Sequence, residues 1–335
     1  MLVSIKASLL ALPLHRAVKI TRGTIPDCQT VVVRARYGEH EGIGESAPIP
    51  RYSETVETVL DYYETQLSGQ IDIRSVDRAL DAVPRAARCG FDLAIYDLLG
   101  KRLNAPLWEI LGVDPDAVPP TNFTIYIDDI PAMVEEARRH RDTPVLKVKL
   151  GLGQEIETIE AIRSVYSGAI RVDANEGWTP EKSVQILSEL ERLDIEYCEQ
   201  PIPSGTPERL RWIRERTSIP IVTDEDSVTE NDLPVLAGCV DGINIKLAKC
   251  GGIRAALRMI NVARVLGLKV MIGCMVESSI LITGAAHLAP LADWIDLDGN
   301  LLLARDPFSG VHHTSGKLTL SDAPGLGISE LAPAR

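Results

Sequence analysis

Eight short apolar runs, recurring roughly every 25 residues beyond Phe123, constrain this chain more than any other feature. They cover residues 123–127, 145–150, 170–174, 197–200, 221–223, 242–247, 270–274 and 294–297. A helical pattern follows each run, which is the mark of repeated βα units and of a parallel sheet. Eight such units in under 200 residues match a closed (β/α)8 barrel, so the spacing predicts a TIM-type α/β fold over residues 119–306. An open doubly wound sheet is the competing architecture. No run leads into G-x-G-x-x-G, since Ile156 stands where a third glycine would follow Gly151 and Gly153, and there is no phosphate-binding P-loop.

The first part of the chain lacks this alternation. Residues 1–16 contain only a short apolar stretch before Pro13 and read as a first strand, not as a cleavable leader, so a cytoplasmic location is expected. The apolar run 30–35 and a glycine-rich turn at 42–44 predict an antiparallel meander, and helical patterns follow at 53–67 and 83–103. Pro115, Pro119 and Pro120 make 112–120 a linker, and beyond Pro307 the chain returns to turns that pack back on the first part.

Composition narrows the function. The 335 residues carry 35 Lys+Arg against 47 Asp+Glu, a net charge of -12, which disfavours a phosphate-binding surface and hence a nucleic-acid partner. Hydrophobic residues at 45% and charged residues at 24% suit a globular protein, and no apolar window is long enough to span a bilayer. The six cysteines are scattered without a C-x-x-C pair, so they read as reduced core residues and not as a zinc site.

The polar residues that end the runs carry the chemistry. Run two ends in Lys147-Val148-Lys149, run three in Asp173-Ala174-Asn175, run four in Glu199-Gln200, run five leads to Asp224-Glu225, run six ends in Lys246 and run eight in Asp296-Leu297-Asp298. Steps of 24, 26, 25 and 22 residues separate Lys149, Asp173, Glu199, Asp224 and Lys246, which places one from each repeat on the C-terminal rim of the barrel, where such folds hold their sites. Strand alternation turns Lys147 and Lys149 into the barrel while Leu146, Val148 and Leu150 face the helices. Taken singly, a Lys-x-Lys strand is a solvated edge, an acid at a strand end is a helix cap, and Lys249 is a solvated helix residue or a neighbour supporting the site. Jointly, three acids and two lysines at one rim are costly to bury without a purpose. Three carboxylates without His or Cys suit a hard cation such as Mg²⁺, with Mn²⁺ as the substitute, and disfavour zinc. Two lysines facing each other across the mouth would flank the α-proton of a metal-bound carboxylate, provided desolvation and the cation lower an ammonium pKa. That is a 1,1-proton transfer, an epimerisation or racemisation.

LKVKLG, VDANEGW, EQP, TDE and NIKLAKCGG, in this order, resemble the enolase superfamily, its muconate-lactonizing subgroup and within that the dipeptide epimerases. The resemblance implies an α+β capping domain over residues 1–118, completed by the tail 307–335, on an enolase-like modified barrel. It also implies Lys149 and Lys246 as the acid/base pair and Asp173, Glu199 and Asp224 as ligands of one Mg²⁺. Lys147 would hold the substrate carboxylate and tune its partner lysine, while Asp296 and Asp298 would meet the α-ammonium of a dipeptide. KITRGTIPD resembles the mobile loop of glutamate-specific members, with Arg22 placed to bridge a side-chain carboxylate and Lys19 or Arg16 as its substitutes. The loop from Pro48 to Tyr52 resembles a second specificity loop, with Arg51 lacking an assigned role, and Cys274 joins the substrate-binding set. The implied activity is epimerisation of L-Ala-L-Glu and L-Ala-D-Glu from cell-wall turnover, with a small-molecule substrate, no nucleic-acid or membrane partner, and a homo-oligomer left open. An epimerase for other dipeptides is one alternative; an o-succinylbenzoate synthase or muconate cycloisomerase-like enzyme of the same barrel is another, and the Asp296/Asp298 pair speaks against the latter because its substrate has no ammonium. A metal-independent Schiff-base lyase and a non-catalytic solute-binding protein are the remaining readings.

Overall fold

The computed structural model describes residues 2–67, 69–73 and 84–332. Its amino-terminal part is built on β1 (Leu2–Leu12), β4 (Cys28–Tyr37), β5 (His40–Ser46) and β6 (Gln70–Asp72), with a small hairpin, β2 (Val18–Ile20) and β3 (Gly23–Ile25), between the first two. The main sheet is antiparallel in the order β5-β4-β1-β6. Alternation along β4 sends Val31, Val33 and Ala35 into one core with α1 (Val56–Thr65) and α2 (Arg85–Leu103), where Val59, Tyr63, Phe91, Ala94 and Leu98 meet them. Val32, on the opposite face, joins the core of the larger domain.

The glycine-rich segment at 42–44 is not a turn. It lies within β5, and the chain reverses earlier, at Gly38, whose φ is +59°. The reason is packing: a Cβ at Gly42 would lie 2.1 Å from the Ala94 carbonyl oxygen, and one at Gly44 2.1 Å from that of Gly90. Only bare backbone lets α2 lie this close to the strand. The helical patterns at 53–67 and 83–103 resolve into α1, whose amino end is capped by Thr55, and α2. Glu54 accepts from the Arg85 and Ala86 amides at 2.7 and 3.0 Å, placing an anion at the amino end of α2. Val83 lies outside the described residues.

Eight parallel strands follow: β7 (Phe123–Ile125), β8 (Val145–Lys149), β9 (Ala169–Asp173), β10 (Ile195–Glu199), β11 (Ile221–Thr223), β12 (Gly242–Lys246), β13 (Lys269–Gly273) and β14 (Trp294–Asp296). They neighbour one another in chain order, and a bridge from Thr121 to Ile295 brings the first beside the last, so the sheet is a nearly closed barrel. Leu146 and Val148 are fully buried on the outer side, as the alternation requires.

The barrel departs from eight full βα units at two places. After β14 there is only the 3₁₀ turn Gly299–Leu302, and after β11 only the single helical turn Leu233–Leu236 follows its own 3₁₀ turn. At the eighth position the chain is drawn away: the His15 amide donates to the Leu302 carbonyl and the Ala304 amide to the Pro13 carbonyl, at 3.0 and 2.8 Å. The tail then runs along the first domain. The Leu326 amide donates to Asp97 of α2 at 2.8 Å, and Arg34 of β4 pairs with Glu330 at 2.9 Å. No helix among the described residues is long and apolar enough to cross a membrane.

Candidate active site

Strand register assembles the site. Lys149 of β8 is paired with Asp173 of β9, and Asp173 with Glu199 of β10, so the three side chains stand abreast at the carboxyl end of the barrel. Asp224 follows β11 directly, and Lys246 ends β12. Lys149 and Lys246 therefore stand four strands apart in an eight-stranded ring, on opposite sides of its mouth. Both line a cavity of about 250 Å³, together with Asp224, Cys274, Asp296, Asp298 and Arg22.

The charges interlock. Lys147 is wholly buried and its Nζ lies 2.6 Å from Glu199, 2.6 Å from Asp296 and 3.3 Å from Asp173. Lys149 Nζ donates to Asp173 Oδ2 at 2.6 Å, and Lys246 Nζ pairs with Asp224 Oδ2 at 2.8 Å. Of the two readings of Lys249, a solvated helix residue or a neighbour supporting the site, the second is the one the structure shows. Lys249 is buried, and its Nζ donates to Asp224 Oδ1 at 2.6 Å, to the Asn244 carbonyl at 2.9 Å and to the Asp224 carbonyl. Asn244 in turn donates to Glu199 Oε1 at 2.7 Å, and Gln200 Oε1 accepts from the Asp224 and Glu225 amides at 3.0 Å. Sequence reasoning named neither amide as a site residue.

Burial and neighbouring charge shift these groups in opposite directions. Burial alone would raise the Asp173 and Asp224 carboxyls, but the adjoining ammonium groups hold both below the usual range. Glu199 is pushed up, by burial and then by repulsion from Asp173. Lys246 departs from the expected fall: burial favours its neutral form, but the Asp224 and Glu199 carboxylates overcome burial and hold the ammonium above its ordinary range.

Asp173, Glu199 and Asp224 fit a hard divalent cation by chemistry. They are buried oxygen donors from three neighbouring strands, and their mutual repulsion is the charge imbalance such an ion relieves. As the side chains stand, the lysines bridge them, and no three ligating groups among the described residues close around a metal position. Cys274 lies on the cavity wall with its thiol raised well above the ordinary range, by burial first and by Asp296 second, so it is a neutral wall group.

The strand-eight acids divide their work. Asp296 takes Lys147 at 2.6 Å and Asn122 Nδ2 at 2.7 Å, and these cations and donors outweigh burial to keep it ionised. Asp298 accepts from the Thr124 amide at 2.6 Å, and burial together with Asp296 pushes its carboxyl up to about 7. A cation brought to this corner would meet Asp298 as its titratable partner. Asn122, Thr124 and Tyr126, around the same corner, were not singled out by sequence; they lie in or beside the first barrel strand, whose residues carry no charge pattern.

Two capping-domain segments close the mouth. Thr21, in the turn of the β2–β3 hairpin, donates to the Leu150 and Ala174 carbonyls at 2.8 and 3.0 Å, seating the hairpin between two barrel loops. Beside it, Arg22 Nη1 pairs with Glu176 at 3.1 Å and with Glu225. Arg51, in the turn Pro50–Tyr52, pairs with Glu176 Oε1 at 2.7 Å. Of the substitutes for Arg22, Lys19 borders a neighbouring cavity and Arg16 pairs with Glu136 at 3.7 Å on the surface.

Comparison with known proteins agrees with this architecture. Residues 4–112 match the mandelate racemase / muconate lactonizing enzyme N-terminal domain, and residues 132–331 the enolase C-terminal domain-like family. An L-Ala-D/L-Glu epimerase of Bacteroides thetaiotaomicron is 38% identical over 320 residues, which span 93% of this chain and 83% of that protein. A dipeptide epimerase of Enterococcus faecalis, solved with Mg and L-Leu-L-Tyr, superposes with a TM-score of 0.91 at 32% identity over 98% of this chain and all of the other. The substrate-liganded L-Ala-D/L-Glu epimerase of Bacillus subtilis gives a TM-score of 0.93 at 27% identity over 99% of each chain. Family models thus match both the sheet-and-helix domain and the barrel, and the chain belongs to the mandelate racemase / muconate lactonizing enzyme family of the enolase superfamily.

Proposed function

We propose that this protein is a Mg²⁺-dependent dipeptide epimerase that inverts the α-carbon of the second residue of L-Ala-L-Glu and L-Ala-D-Glu. One observation carries the reading: two lysines on opposite sides of a single cavity share it with an acid pair suited to an ammonium. A dipeptide fits that layout, with its free amine at Asp298 and its α-carbon between Lys149 and Lys246.

Asp173, Glu199 and Asp224 would hold the ion, which when bound supplies positive charge beside the substrate carboxylate and so acidifies the α-hydrogen. The residues do the rest. One lysine removes the α-proton from its face as the free amine, a form open to Lys246 once a cation offsets the Asp224 and Glu199 charge that holds it as the ammonium, and the other, as the ammonium, returns a proton to the opposite face. The reverse direction exchanges their roles. Lys147, buried among three carboxylates, adds fixed positive charge where the substrate carboxylate enters. Asp296, held by Lys147 and Asn122, positions the corner in which Asp298 takes the ammonium. Arg22 over the mouth meets the side-chain carboxylate of glutamate, and Cys274 walls the pocket. The relatives named for L-Ala-D/L-Glu epimerisation support the choice of substrate, and those solved with Mg support the ion. All six cysteines are free, which supports a reducing, cytoplasmic setting, and there the enzyme would act in recycling cell-wall peptides.

The test is chromatographic. Incubation with L-Ala-L-Glu should yield L-Ala-D-Glu, approaching the same mixture from either isomer, and chelation should stop it until Mg²⁺ is restored. Conversion indifferent to chelator, or a dehydrated product in place of the diastereomer, would overturn the reading.

A further inference from the structure

Glu176 follows β9 in the VDANEGW segment, and neither the acid/base pair nor the carboxylate set uses it. Its two oxygens hold two arginines from separate capping-domain segments: Arg22 Nη1 on Oε2 at 3.1 Å and Arg51 Nη2 on Oε1 at 2.7 Å. Oε1 also accepts from the Ser204 amide at 2.9 Å, and Arg51 reaches the Ser204 hydroxyl at 3.1 Å, so the barrel loop after β10 joins the same knot. Glu225 holds Arg22 from the loop after β11, but it has no bond to Arg51. Among the described residues, Glu176 is where the two capping segments meet on one side chain.

Its backbone points the same way. Glu176 has φ +67°, and the preceding Asn175 has φ +43°, both in the left-handed region that glycine occupies most easily. The conformation is fixed by the Glu176 amide donating to the Gln200 carbonyl and the Gly177 amide to the Ala174 carbonyl, each at 2.9 Å. A carboxylate is thus kept at a position where glycine would be less strained. Its side chain is 10% exposed, against 37% and 33% for Arg22 and Arg51, so it is the rigid member of the group.

We propose that Glu176 is a positioning residue that latches the β2–β3 hairpin and the Pro50–Tyr52 turn over the cavity together, so that both segments closing on the dipeptide open and shut as one. Only its consequence for substrate affinity rests on the dipeptide reading; the latch itself is a property of the apo protein.

E176Q and E176G test it. The glycine variant relieves the left-handed strain, so it should fold at least as well as the parent, which separates latching from stability. Amide hydrogen exchange should quicken in residues 18–25 and 51–53 together, in both variants, while E176D restores part of the protection. With L-Ala-L-Glu, KM should rise about five- to tenfold with a smaller change in kcat, as expected for partly exposed ion pairs that hold a closed state. Faster exchange in the hairpin alone would overturn the shared latch, and unchanged exchange in both segments would overturn any positional role. Exchange is read without substrate, so failure of the dipeptide reading would show as absent turnover with the exchange result intact.

Discussion

At the residue scale, the proposed epimerisation needs two lysines, placed alike, to act in opposite ways. Lys149 rests on Asp173 and Lys246 on Asp224, each beside a different end of the carboxylate row. Lys149→Ala and Lys246→Ala should each lower epimerisation by about a thousandfold, within the range for loss of a general acid or base, while wash-in of solvent deuterium survives for one isomer only in each variant. Normal turnover by either variant would remove the two-base scheme. Asp298 carries a separate expectation. It touches neither Asp173 nor Asp224, so Asp298→Asn should raise KM for dipeptides about tenfold or more while leaving Mg²⁺ affinity within about twofold, as for loss of a charged hydrogen bond to substrate alone. A collapse of Mg²⁺ binding in a calorimeter would show that the corner is part of the metal site. The charged rim was legible in sequence because its residues recur once per repeat. The amides Asn122, Asn244 and Gln200 were not, since an uncharged side chain in a barrel strand gives no periodic signal until its partner is known.

At the scale of elements, the eight barrel strands lie within about two residues of the apolar runs, because a strand buried on both faces writes itself as a continuous apolar stretch. What periodicity missed lies where tertiary contact overrides local pattern. Gly42 and Gly44 look like a turn but form a strand, because their role is to give α2 room, and a sequence does not show which helix will come close. The eighth helix is absent because the chain is claimed by Pro13 and His15, nearly 300 residues away in sequence. Sequence left Lys249 between a solvated residue and a neighbour supporting the site because its helix is a single turn, Leu247–Cys250, too short to show a buried face. The strand–helix contact gives a direct test. Gly44→Ala should destabilise the protein by about 1–3 kcal/mol, the usual cost of forcing a methyl group into packed backbone. Urea denaturation would measure it, and a change under about 0.5 kcal/mol would mean that α2 lies further from β5 than described.

At the scale of the whole molecule, the tail binds the two domains, and one buried histidine makes that union sensitive to pH. His287, at the carboxyl end of the helix Ser279–Ala286, shares a 3.2 Å hydrogen bond with the Leu326 carbonyl in the tail, and burial lowers its pKa from 6.5 to about 4. The unfolded chain takes up this proton below 6.5, whereas the folded chain resists it until about 4, so stability falls as pH drops through that window. The loss should reach about 3 kcal/mol from this group. His287→Gln, which keeps a neutral polar group, should flatten that part of the urea-stability profile between pH 4 and 6.5, and an unaltered profile would show that the ring is protonated or solvated in the fold. The capping domain, the barrel and the tail act together to present one cavity with opposed lysines, and the proposed proton transfer depends on that cavity. Proton NMR of L-Ala-L-Glu in D₂O with the protein and Mg²⁺ tests that transfer most directly. The glutamate α-proton signal should be lost, the alanine α-proton retained, and the L-Ala-D-Glu resonances should grow. Retention of the glutamate signal across that dipeptide and a mixed dipeptide library would contradict the proposed transfer and return the barrel to elimination or cycloisomerase chemistry.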